Sequence, residues 1–353
     1  PMCVFIYGGD MPGHNFTPLS GRMERFSVDS ELLKNRLGDP TLREILVHIP
    51  QQADSAMENG ELIPAIIYRE QYASTGPQLA GWKDYDETLP QRHERLITEG
   101  KMKPTILVFP DTFTSLGGNQ FVDSPIMGKW SSWLSQCLKP EISKRYSTNG
   151  KFALVGKPSG GYGALYNAMT QPNVWSAIAS HSGDVGFDLM YKPTFAETIT
   201  HIAKHESAAK YVESVVQAAS LSGADFHSLM MCALAASYDP RPVTSDNILG
   251  ITLPVSFDKC LIDEQSWNNW LKFDPLTLVE NASQNLQGLS ALYIDCGNRD
   301  QYHIQYGSRS LVGRLNDLGI THQWQEFVGT HSSIDYRLDT SLPLLSKALY
   351  QEN

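Results

Sequence analysis

The residues of this sequence that could do chemistry together lie at three places. Residues 156–164 read G-K-P-S-G-G-Y-G-A, Asp300 closes the segment I-D-C-G-N-R-D, and His331 lies in V-G-T-H-S-S. Gly156 and Gly160 stand four apart, the frame of the G-x-S-x-G turn that exposes a nucleophilic serine between a strand and a helix. In acyl transfer a serine hydroxyl attacks, a histidine takes its proton, and a carboxylate holds that histidine in the required tautomer. The order turn, acid, histidine is present here. The centre of the frame, however, is Pro158, which carries no nucleophile, and the serine stands one place on, at Ser159.

Such groups need strands that end where the groups begin. F-A-L-V-G (152–156) is an apolar run of the kind buried on both sheet faces, and it leads straight into the glycine turn. A helix follows, with Ala164, Leu165, Ala168 and Met169 on one side. L-S-A-L-Y-I-D-C-G (289–297) reads as a strand before Asp300, and 322–328 as a strand before His331. Further strands are expected at 43–50, 63–68 and 105–110, and 175–184 reads as strand then loop. Helices are expected at 88–99, with Thr88 as N-cap and Pro90 in the first turn, and at 130–146, 308–318 and 341–350. Phe26 to Leu37 precedes the first of these strands. The alternation implies an α/β fold with a mostly parallel central sheet and helices on both faces. Residues 186–285 break the rhythm, being rich in helix formers and aromatics. They read as a helical lid inserted into a single domain that spans 1–353.

Composition narrows the classes. With 353 residues and 41% apolar content the chain can bury a large core, and its net charge of −10 with no Lys/Arg run argues against nucleic acid and anionic membrane as partners. No stretch approaches the roughly 18 apolar residues of a membrane span. The N-terminus lacks the pattern of a signal peptide. Five scattered cysteines (Cys3, Cys137, Cys232, Cys260, Cys296) without a C-x-x-C pair fit a reducing, cytoplasmic setting rather than a disulfide framework or zinc site. Asp111, Asp184, Asp300 and the histidines show no metal-motif spacing, so no metal or other cofactor is expected. The expected partner is a small-molecule substrate, with homo-oligomerisation left open.

L-G-D-P-T-L-R-E, F-P-D-T-F-T-S-L-G-G-N-Q-F-V-D-S-P, G-K-P-S-G-G-Y-G-A-L, S-H-S-G-D, D-C-G-N-R-D and G-T-H-S-S-I-D-Y are spread over most of the chain. Together they make the sequence resemble the bacterial esterase group related to esterase D, feruloyl esterases and the mycobacterial antigen 85 proteins. The resemblance implies an α/β-hydrolase fold and no metal. It also implies that Pro158 stands at the nucleophile position, Asp300 at the acid and His331 at the base. Relatives carry serine where this chain has Pro158. They also tend to have an apolar or His residue, then Gly, then an aromatic, where Glu70, Gln71 and Tyr72 stand here; that turn supplies oxyanion-hole N–H groups. A carboxylate at Glu70 would oppose a developing oxyanion.

Proline fixes φ near −65° and suits the first residue of a helix, so a smooth strand-to-helix entry is expected. The N–H groups of Ser159, Gly160 and Gly161 would then form an anion site at the helix N-terminus. Three readings stay open. Ser159 is a displaced nucleophile in an atypical esterase or acyltransferase; or His331, oriented by Asp300, is a general base without a nucleophile in a lyase, isomerase or cyclase; or the protein only binds a ligand. Asn119 and Gln120, in a glycine-rich loop, are further candidates for the substrate site, and His181, after a strand, reads as a structural hydrogen bond or a substrate contact. Asp184 reads as a cap for the first turn of the lid, and Trp267 and Trp270 as packing.

Overall fold

The computed structural model describes residues 13–351; Cys3 and the segment read above against a signal peptide lie outside them. Eight strands form one sheet: β1 (Arg22–Val28), β2 (Arg43–Ile49), β3 (Ile63–Arg69), β4 (Ile106–Pro110), β5 (Thr148–Gly156), β6 (Ala177–His181), β7 (Ala291–Gly297) and β8 (Gln323–Phe327). Their spatial order is β1-β2-β4-β3-β5-β6-β7-β8. β2 pairs antiparallel with β1 and β4, and every other pairing is parallel.

The near-continuous apolar runs follow from burial on both faces. Ile63, Ala65, Ile67, Val108 and Leu154 point into one core, while Ile66, Tyr68, Leu107, Phe109 and Val155 point into the other. The helices that cover these faces and frame the site are α1 (Leu89–Thr98), α2 (Ser159–Thr170), α3 (Gly223–Tyr238), α4 (Ile304–Asp317) and α5 (Leu338–Leu349). Thr88 caps α1 in a reciprocal pair with Gln91, as the sequence predicts. α5 lies on the second core through Leu338, Leu342, Leu345 and Leu349.

Two expectations change. The segment 130–146 is not one regular helix: Trp130–Trp133 and Lys139–Arg145 are joined by a π-helical stretch at Leu134–Leu138. Pro140 follows that stretch and has no N–H to continue the regular ladder. β1 was not expected. Exposed Arg25 and Ser27 alternate with half-buried Glu24, Phe26 and Val28, because it is an edge strand with one face in solvent, and all seven of its residues pair with β2. Between β6 and β7 the chain forms helices joined by loops, the longest of them over 239–263, which carries two isolated bridges, at Thr244–Asn247 and Val255–Ile262. No described helix is long and apolar enough to cross a membrane.

A buried histidine pair joins β2 to α1. The Nδ1 atoms of His48 and His93 lie 2.9 Å apart, His93 Nε2 is 2.8 Å from Thr105 Oγ1, and His48 Nε2 is 3.4 Å from Glu94 Oε1. The network is satisfied when Thr105 donates to His93, His93 to His48 and His48 to Glu94, an assignment made from the bonds themselves. Burial, then the neighbouring His48, holds His93 well below the usual histidine range. The folded state therefore keeps His93 neutral while the unfolded chain takes up a proton near pH 6.5. Stability is full above that pH and falls as pH drops below it, by up to about 1.4 kcal/mol per pH unit. Thermal melts between pH 7 and 5 should show this loss, with a shallower slope in His93→Asn.

Candidate active site

β5 runs into a tight turn. Gly156 closes the strand opposite Arg69 of β3 and Ser180 of β6, and α2 begins at Ser159. Pro158 is the cap of α2, not its first helical residue, and its backbone (φ −9°, ψ −83°) departs from proline's usual −65°. The smooth entry expected from the sequence is not what the chain adopts. The cause is close packing: a Cβ on Gly156 would lie 2.5 Å from the Gly160 carbonyl carbon, and one on Gly160 would lie 2.2 Å from the Arg69 carbonyl oxygen. The Gly160 N–H donates to the Lys157 carbonyl at 2.8 Å, so it is not free for an anion as expected. Gly160→Ala should destabilise the protein by about 2–4 kcal/mol, because the obstructing atoms are backbone and cannot move aside. Urea unfolding midpoints measure this.

Asp300 follows β7 and His331 follows β8. His331 Nδ1 lies 2.8 Å from Asp300 Oδ2, and the other carboxylate oxygen accepts the Tyr302 N–H at 2.9 Å. Asp300 is buried, whereas the His331 side chain keeps 13% of its surface. With Nδ1–H donated to Asp300, the lone pair is on Nε2. The His331 N–H is held by Gln301 Oε1 at 3.2 Å, and Tyr302 packs edge-on against the ring, centroids 4.7 Å apart.

His331, Pro158 and Ser159 open on one cavity of about 300 Å³, lined also by Gln71, Tyr72, Lys157, Asp184, Met190, Phe226, Met230, Gln301, Tyr302 and Ser332–Ile334. Three of these, Met190, Phe226 and Met230, come from the helical stretch between β6 and β7. Ser159 is 3% exposed and its hydroxyl accepts from Gln120 Nε2 at 3.3 Å; no hydrogen bond joins it to His331. Lys157 is tied to Asp335, which Lys83 also contacts. Burial pushes the Asp335 carboxyl up, but the two lysines outweigh it and hold the group well below the carboxylate range.

The other candidates divide. Gln71 and Tyr72 line the cavity, and the Tyr72 hydroxyl donates to the Leu116 carbonyl at 2.5 Å. Glu70 does not reach it. Its Oε1 accepts from the Thr112 backbone N–H at 3.1 Å and from the Thr112 hydroxyl, and burial pushes its carboxyl up to about 8. Burial thus favours its neutral form, which weakens the charge expected to oppose an oxyanion. Asn119 is a loop brace rather than a ligand contact, donating to the Thr112 carbonyl at 2.7 Å and accepting from the Phe121 N–H at 2.6 Å. Gln120 acts one layer back, on Ser159.

His181 stands away from the cavity altogether. It is fully buried, with Nδ1 2.8 Å from Asp295 Oδ1 and Nε2 2.8 Å from Ser341 Oγ. Asp295 also takes Arg337 Nε at 2.8 Å and the Tyr293 hydroxyl at 2.9 Å. This is a complete serine–histidine–aspartate chain sealed inside the protein.

Asp184 was read only as a cap. That role belongs to Asp274, which accepts from the N–H groups of Gly186 and Phe187 at 3.1 and 2.8 Å. Asp184 lines the cavity instead, with Oδ2 accepting from the Tyr191 hydroxyl at 2.8 Å. Burial raises its carboxyl to about 6, against the opposing effects of Tyr191 and His331. Its only sequence signal is its place just beyond a strand end. Trp267 and Trp270 are core residues, as expected. Among the described residues no group of three or more His, Cys, Asp or Glu could hold a metal.

This strand order, with its acid and histidine beyond the seventh and eighth strands, defines an α/β-hydrolase fold. The family model described as "Putative esterase" matches residues 91–341, and the chain belongs to that family. Its structure is similar to a ferulic acid esterase (16% identity, TM-score 0.57), covering 94% of this chain and 100% of that one. It is also similar to an S-formylglutathione hydrolase from Agrobacterium tumefaciens (16%, TM-score 0.55; 97% and 100% covered). Mycobacterium tuberculosis MPT51 is a third (13%, TM-score 0.51; 93% and 99%). At these identities the likeness is one of fold. No curated protein matches the sequence.

Proposed function

We propose that this protein hydrolyses a small-molecule ester by general-base chemistry at His331, with Asp300 holding the imidazole in the tautomer that leaves Nε2 free. The observation that carries this reading is the 2.8 Å Asp300–His331 bond at the rim of a cavity whose strand-to-helix turn presents Pro158. We place Pro158 at the family's nucleophile position, where it removes the hydroxyl that His331 would otherwise deprotonate. Water is then the group on which the base acts: a water proton goes to Nε2 and the oxygen adds to the ester carbonyl. The proposal includes a helical lid, formed by the segment between β6 and β7, and a reducing, cytoplasmic setting, supported by the free thiols of Cys137, Cys232, Cys260 and Cys296.

A second reading has one observation in its favour. The Ser159 hydroxyl lines the same cavity, and a rotation away from Gln120 would make it a displaced nucleophile. Treatment with a fluorophosphonate, followed by intact mass and peptide mapping, separates the two. Ester hydrolysis that is lost in His331→Ala, with Ser159 left unlabelled, supports water attack. An adduct on Ser159 that disappears in His331→Ala would replace it with the serine mechanism.

A further inference from the structure

The water-attack reading accounts for one proton, the one taken from water. The imidazolium so formed can pass that proton to the departing alcohol only by turning from the water to it, or a second group can supply one. An aryloxide or thiolate leaves as an anion, but an alkoxide is too basic to do so and needs a proton in the transition state. The cavity holds a group placed for that task and otherwise without one.

Asp184 sits just past the end of β6, in the lining of the cavity that also holds His331 and Pro158, and is 3% exposed. Its position is fixed by the Tyr191 hydroxyl on Oδ2. Behind it lies an aromatic wall: the Tyr162 and Tyr238 rings are 6.0 Å apart, Phe187 and Tyr191 4.8 Å, and Tyr191 and Trp270 5.9 Å. A carboxyl with this dry backing and one open side keeps its proton more readily than a solvated one. The titratable groups that bear on it are Tyr162 on α2, Tyr191, Tyr238 on α3, Tyr302 beyond β7, and the Asp300–His331 pair. Lys157 shares the cavity but is held by Asp335.

Resting on the hydrolytic reading above, we propose that Asp184 is the second catalytic residue of this cavity, the general acid that protonates the leaving oxygen, and that the substrates are esters of alkyl alcohols. The steps balance. His331 Nε2 takes a proton as water oxygen bonds to the carbonyl carbon. The carbon–oxygen bond to the alcohol then breaks, and the alcohol oxygen takes the Asp184 proton. The proton on His331 passes through solvent to the Asp184 carboxylate, leaving one acid and one alcohol for each ester and water consumed. Two titratable groups held apart by environment, one as base and one as acid, are a recurring way to run such chemistry near neutrality.

The test uses the full chain and two acetates that share an acyl group, ethyl acetate and p-nitrophenyl acetate. Asp184→Asn should lose about 100-fold on the ethyl ester and under tenfold on the aryl ester. In the unmodified protein the ratio of the ethyl rate to the aryl rate should fall as pH rises through about 6, where Asp184 ionises, and be flat in Asp184→Asn. Tyr191→Phe removes a hydrogen bond to the charged form, so it should move that fall to higher pH; it serves also if Asp184→Asn does not fold. An equal loss on both esters, or a ratio indifferent to pH, would overturn the role of Asp184 and leave the hydrolytic reading standing. No turnover of either ester by the unmodified protein would overturn both.

Discussion

His331→Ala is expected to lower the rate of ester hydrolysis by about 10³–10⁴-fold with little change in the melting temperature. The ring is partly exposed at the cavity rim, so its loss removes the base without opening the core. Asp300→Asn should cost about 10²–10³-fold for a different reason. The amide oxygen can still accept from the Tyr302 N–H, so the loop is kept. The amide NH2, however, now faces Nδ1, which must become an acceptor, and the ring proton moves to Nε2. The histidine is then in the wrong tautomer to act as a base. Initial rates and thermal melts of both variants check this. Intact rates in both would remove His331 from the mechanism.

Pro158→Ser is expected to act in the opposite direction. It should create a site labelled by a fluorophosphonate at position 158 and raise ester hydrolysis by about 10²–10³-fold. The turn is held by glycine packing and by the Gly160 N–H bond to Lys157, neither of which involves the proline ring. Serine is free of proline's ring constraint and can take the positive φ of an elbow nucleophile, and on the reading proposed above His331 is the base that would serve it. Rates and peptide mapping before and after the change measure the outcome. If position 158 stays unlabelled and the rate is unchanged, the turn does not aim that side chain at His331.

The strands were the most legible part of the sequence, because a strand buried on both faces has to be written as an apolar run, as Phe152–Gly156 and Ile106–Pro110 are. β1 was hidden because only one of its faces is covered, and its charges read as loop. The acid was legible for a related reason, since Asp300 stands just beyond the buried run of β7; His331 follows β8, whose residues are exposed or half-buried, and the direction of the sheet places both at one end. What a strand end does not reveal is which way the next side chains turn. His181 and Asp184 are three residues apart, and the sequence reading left the first between a structural hydrogen bond and a substrate contact and gave the second a helix to cap. Ser182 has φ 45°, and Gly183 is pressed against α2 so closely that a Cβ would lie 2.7 Å from the Tyr162 backbone nitrogen. That reversal sends His181 inward and Asp184 to the cavity. Likewise, the sequence told that proline stands in the turn, but proline's own preference was overruled by contacts with Arg69, a residue almost ninety positions away.

The sealed arrangement of Ser341, His181 and Asp295 has a wider meaning. Scored by hydrogen-bond geometry alone, it is complete at 2.8 Å on both sides of the ring, whereas His331 at the cavity bonds Asp300 and no serine. A template search for three atoms would choose the inert one. What separates the two histidines is access: His181 is mortar in a wall, while His331 stands where a molecule from outside can meet it.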